Sequence, residues 1–293
     1  MRWTPGGSSD DIEDRRDDSG GGGGGMSFGG FGPHLGIGGT LVLLVLSFVF
    51  KQDFFALFSG GPSGAPSASV GSRSAADPGR NAGERNEVEF VKFVLNDVQA
   101  TWDKLLPQSG VPYHHAKLVL FRDLYQSACG RADSATGPFY CPGDEKVYID
   151  LSFFNELKTR FGAPGEFAQA YVIAHEIGHH VQKLLGIDGK VTQTQSRNPG
   201  ARNRLSVDLE LQADCFAGIW GKSTEQRNLV DSNDVAAGLR AAAAVGDDRL
   251  QKMATGHVSP ESFTHGSSAQ RMQWFQRGLD SGQVSACNTF GQN

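Results

Sequence analysis

The stretch YVIAHEIGHHVQK, Tyr171 to Lys183, decides how the chain is read. Pro164 precedes it and Gly186 follows, so a helix is predicted over 165–185, with Gly186 as the left-handed stop. Each helical residue turns ~100° about the axis, which puts His175 and His179 on one face, one turn apart. Two imidazoles so placed can hold one Zn²⁺ at ~2.0–2.1 Å each. Glu176 stands beside the first of them, where a base that takes a proton from an activated water belongs. Phe167, Tyr171, Ala174, Val181 and Leu185 make an apolar face for burial. Gly178 costs a helix interior about 1 kcal/mol relative to alanine, and close approach of a second backbone would account for it. The competing reading is a core helix whose histidines are merely hydrogen-bonded.

A catalytic zinc site needs a third protein ligand and an open position. An extended H-E-x-x-H-x-x-G-x-x-H pattern would need glycine at 182 and histidine at 185; the chain has Gln182 and Leu185. The third ligand is therefore sought on another helix, predicted over 206–222. Its stretch SVDLELQADCFAGIW (Ser206 to Trp220) carries Glu210 and Asp214 four apart on a shared face. Glu210 is the expected ligand, with Asp208 an off-face alternative. Asp214 is expected to accept a hydrogen bond from a ligand imidazole and fix its tautomer. Cys215 lies ~140° around the helix from Glu210 and should not reach the metal. In FTHGSSAQR (263–271), His265 is the candidate donor to a developing oxyanion, with Arg271 orienting or supplementing it. His114, His115 and His180 are read as structural.

Around these helices the chain of 293 residues divides into four regions. Residues 1–34, with the charge cluster DDIEDRRDD and a run of six glycines, are expected to be an acidic, glycine-rich tail unable to fold alone. Residues 35–52 hold LGIGGTLVLLVLSFVF, uncharged until Lys51 and without a polar stripe, and are expected to form one transmembrane helix. Residues 53–83 are a Gly/Ser/Pro linker, and 84–293 the folded domain. Val88, Val91, Leu95, Val98, Trp102 and Leu105 recur at helical spacing over 87–106, while 117–123 and 146–150 read as strands. Helices are also expected over 234–246 and 267–280. The fold class is α+β, predominantly helical, with a small sheet.

A net charge of −5 gives no basic surface for nucleic acid. The four cysteines suit an oxidising compartment, with Cys129–Cys141 bracketing a short loop and Cys215–Cys287 the remaining pair; four free thiols in a reducing compartment is the alternative. Arg2, Arg15 and Arg16 precede the apolar run, and Lys51 stands alone after it. That bias favours an N-terminus inside and the large C-terminal part outside.

AHEIGHHVQ, ELQADCFAG and FTHGSSAQR, with the opening MRW…DDIEDRR and a single anchor helix, resemble the bacterial neutral zinc metallopeptidases. That family is itself similar to the gluzincin branch of zincins, marked by H-E-x-x-H followed by E-x-x-x-D. The resemblance covers nearly the whole chain. It implies a zincin-like domain with Zn²⁺ on His175, His179 and Glu210, Glu176 as base, and a peptide or protein substrate. With the charge bias it implies a bacterial inner membrane, with the N-terminus cytoplasmic and the catalytic domain periplasmic. Two other functions stay open: a zinc-binding envelope scaffold without proteolysis, and a metal-dependent hydrolase of non-peptide cell-wall bonds. Were KVYID (146–150) an exposed sheet edge, an extended substrate could add to it as another strand.

Overall fold

The computed structural model describes residues 1–18, 78–133 and 136–291. Helix α1 (Pro78–Leu105) begins inside the stretch expected to be linker. Its apolar positions recur every three or four residues, so Val91, Leu95, Val98 and Trp102 fall on one buried stripe, and it packs against the histidine-bearing helix. That helix is α3 (Glu166–Leu184). Gly186 ends it in the left-handed conformation, φ 67°, its N–H donating to Lys183 O at 3.0 Å.

The sheet runs in the order β1 (Ile12–Asp14), β2 (Lys117–Phe121), β6 (Lys146–Asp150), β5 (Phe139–Cys141). β1 and β6 lie parallel to β2, and β5 lies antiparallel to β6. β2 and β6 are almost wholly buried, as continuous apolar strands at the centre of a sheet are. KVYID is thus an interior strand: β5 covers the edge that the sequence left open, and β1 and β5 form the margins. A separate hairpin, β3 (Leu124–Ser127) with β4 (Gly130–Asp133), is tied to β5 by the Cys129–Cys141 disulfide.

The expected tail is corrected over its first half. Within residues 1–18, β1 pairs with β2 at the sheet margin, and Trp3 stacks edge-on against Phe90 at 5.3 Å. The expected anchor, residues 35–52, lies outside the described residues. Among the described residues no helix is long and apolar enough to cross a membrane.

Beyond α3 the chain is helical: α4 (Ile187–Arg197), α5 (Arg202–Gln226), α6 (Ser232–Ala244), α7 (Asp247–Thr255) and α8 (Ser268–Ser281). With α2 (Ser152–Thr159), α4 and α7 are helices that the sequence reading did not mark. α5 and α8 cross very closely. A Cβ built on Gly278 would lie 1.9 Å from Cys215 O, and one on Gly218 would lie 2.1 Å from Phe275 O. Only glycine permits that contact. The Cys215–Cys287 disulfide closes over the same crossing and takes Cys215 out of any metal chemistry.

Candidate metal centre

Gly178 has the neighbour its presence calls for. A Cβ there would sit 2.9 Å from Ala213 O and 3.1 Å from Ala213 Cα, so α3 and α5 touch backbone to backbone. On α3, His175 lies three residues before Gly178 and His179 directly after it; on α5, Glu210 lies three residues before Ala213 and Asp214 directly after it. The crossing therefore brings the His-His face and the Glu-Asp face together.

His175, His179 and Glu210 each offer a ligand atom, and the three atoms lie within 4.8 Å of one another. His175 Nε2 is 3.2 Å from Glu210 Oε2, and His179 Nε2 is 3.6 Å from Glu210 Oε1. A tetrahedral ion with ~2.0–2.1 Å arms separates its ligand atoms by about 3.4 Å, so the three groups fit a zinc-sized cation. Asp208 is not in the cluster; its carboxylate faces Arg204 at 3.3 Å.

Both imidazoles are held from behind. His175 Nδ1 meets Asp214 Oδ1 at 2.9 Å, and His179 Nδ1 meets Gln182 Oε1 at 2.9 Å. Each Nδ1–H donates to an oxygen, which leaves each Nε2 lone pair toward the common point. Gln182 is fixed in turn by donating to Leu209 O at 2.7 Å and Gln212 Oε1 at 3.1 Å.

Asp214 is fully buried, and three donors converge on its Oδ1: Tyr171 Oη, His175 Nδ1 and Arg271 Nη2, while Arg271 Nε donates to Oδ2 at 2.8 Å. Burial alone would raise its pKa, but the Arg271 and His175 charges overcome that and hold it below the usual range. Burial lowers the His175 pKa, yet the Asp214 carboxylate outweighs it and carries the value up to about 10. Glu210 moves the opposite way: burial raises it, and His179 and His175 then bring it well below 4.5. These are two views of one compensated cluster, and a divalent ion bound there takes the place of the histidine proton. Glu176 is buried beside it, and burial raises its pKa against the pull of His175 and His179.

His265 lines the same cavity, of about 510 Å³, with Glu176 and Arg271. Its Nδ1 is 3.1 Å from Asp247 Oδ1, and Asp247 Oδ2 accepts from the backbone N–H groups of Thr264, His265 and Gly266. Nε2 of His265 is the ring nitrogen left for the cavity. Arg271 does not bond to His265. It donates to Asp214, Tyr171 Oη and Val245 O, so its place is behind His175, a correction of the expected pairing. The cavity continues along β5 and past Phe153, Phe161 and Leu250.

His180 lies off the cluster, its Nδ1 3.0 Å from Tyr140 Oη and its Nε2 2.7 Å from His114 O. His114 faces Glu145, and His115 lies between Asp11 and Asp103, as structural histidines do. Three participants escaped the sequence reading. Tyr171 was placed on the apolar face, although it stands four residues before His175; Gln182 stands three after His179; and Asp247 gave no local signal.

A family model described as "Putative neutral zinc metallopeptidase" matches residues 1–290. The uncharacterized protein YpfJ of Escherichia coli K12 is 46% identical over 272 residues, covering 91% of this chain and 92% of its own. The uncharacterized protein Rv2575 of Mycobacterium tuberculosis H37Rv is 43% identical over 206 residues, 67% of this chain and 68% of its own. No solved structure matches.

Proposed function

Since the chain belongs to the neutral zinc metallopeptidase family, we propose that it is a membrane-tethered peptidase that hydrolyses peptide bonds with Zn²⁺ held by His175, His179 and Glu210. The observation that carries this reading is the meeting of three ligand atoms within 4.8 Å, next to a buried carboxylate that is not itself a ligand. Zinc, when bound there, supplies a Lewis acid that polarises a carbonyl and lowers the pKa of water toward ~7.

The chain's own residues supply the rest. Glu176 takes the proton as water attacks the peptide carbonyl and passes it to the departing nitrogen. His265, oriented by Asp247, donates from Nε2 to the carbonyl oxygen as negative charge builds. Burial lowers the His265 pKa, but the Asp247 hydrogen bond and the Glu210 charge outweigh it and raise the value. Asp214 and Gln182 hold the ligand imidazoles, and Arg271 balances Asp214.

Glu176→Gln tests the assignment. Zinc content should be unchanged, while cleavage of a labelled peptide falls by roughly 10²–10⁴-fold. Cleavage within a few-fold of the wild type rejects Glu176 as the base.

A further inference from the structure

The N-terminal segment is built into the domain along its whole length. Leu118 N–H donates to Asp11 O at 2.7 Å and Arg15 N–H to Leu120 O at 2.8 Å, bracketing the β1–β2 pairing. Trp3 Nε1–H donates to Glu166 at the start of α3, at 3.0 Å. Gln99 Nε2 reaches Asp11 at 2.9 Å, and Lys146 Nζ reaches Glu13 at 2.6 Å. Near the segment's end, Arg16 Nη1 lies 3.3 Å from Glu84 Oε2, in the first turns of α1, and Arg122 donates to the same carboxylate. The end of the segment and the first turns of α1 therefore lie side by side.

Between those two points lies the apolar run Leu35 to Phe50. The hydrocarbon core of a bilayer is ~30 Å thick. One crossing between residues 18 and 78 would hold Arg16 and Glu84 at least that far apart, against the 3.3 Å between their side chains. We propose that residues 1–18 and residues 78–291 stand on the same face of the membrane. The N-terminal segment is then the outer strand of the catalytic domain, and it shares that domain's compartment in place of the cytoplasmic side that the arginine count favours. The two disulfides make that compartment an oxidising one. This inference rests on the proposed membrane association and is independent of the hydrolytic chemistry.

All four cysteines are paired, so an introduced cysteine is the sole free thiol of the chain. Thr4 and Gln273 are exposed, one on the N-terminal segment and one on α8. The full chain carrying Thr4→Cys or Gln273→Cys is first sedimented with membranes, then treated with a membrane-impermeant maleimide in spheroplasts, with lysed spheroplasts as the reference. The expected result is the same intact-to-lysed labelling ratio at both positions, within about twofold. A sedimenting chain labelled at one position in spheroplasts, and at the other only after lysis, overturns the shared face. A chain that stays in the supernatant overturns the membrane association on which it rests.

Discussion

Each imidazole of the candidate centre depends on an oxygen behind it, and the two can be probed separately. Gln182→Ala leaves His179 without a partner for Nδ1, and zinc affinity should fall 10–100-fold in a chelator competition while the fold persists. Asp247→Asn should act elsewhere: zinc stays bound, and kcat falls with little change in KM, because His265 loses the carboxylate that orients it. Equal losses of zinc in both variants would contradict this division. His175, His179, Glu210 and Asp214 were legible in the sequence because four-residue spacing on a helix is local information. Tyr171 and Asp247 were not. A tyrosine on an apolar stripe reads as core until the carboxylate opposite its hydroxyl is known, and Asp247 meets His265 only through a turn of the chain 18 residues later.

At the level of elements, the crossings of α3, α5 and α8 set the site, and their glycines carry the geometry. Alanine normally stabilises a helix interior by about 1 kcal/mol over glycine. At Gly189 on α4, where an added Cβ meets nothing within 4 Å, Gly189→Ala should raise the melting temperature slightly. At Gly218 the sign reverses. The methyl group collides with Phe275 O, and Gly218→Ala should cost ~1–3 kcal/mol or more, read as a lowered denaturation midpoint. Gly178 advertised its crossing because one glycine inside a strongly patterned helix stands out. α4 stayed hidden for the opposite reason: IDGKVTQTQSR buries only Val191, so it has no apolar stripe to detect. β1 is three residues long, and its partner lies over a hundred residues away, which no local pattern encodes.

Over the whole molecule, docking of the N-terminal segment should depend on pH. Burial lowers the His115 pKa, but Asp103 and Asp11 raise it above 6.5. A raised histidine contributes stability below 6.5 and loses it as pH climbs through the folded value. Asp11 is raised by burial and brought below 3.8 by Lys117 and His115, so its contribution is present above 3.8 and is lost as pH falls through the lower folded value. Docking is therefore firmest between 3.8 and 6.5 and loosens toward alkaline pH. Protection factors of the Leu118 and Arg15 amides, corrected for intrinsic exchange, should decline as pH rises above 6.5 through the folded His115 value, and His115→Gln should flatten that decline. The α5–α8 crossing has a reach of its own. Wedging any side chain between Gly218 and Gly278 pries apart the helices that carry Asp214 and Arg271, so damage well away from the ligands would present as a failure to retain metal. In a random screen for dead variants, hits should cluster at these remote glycines as densely as at the histidines themselves.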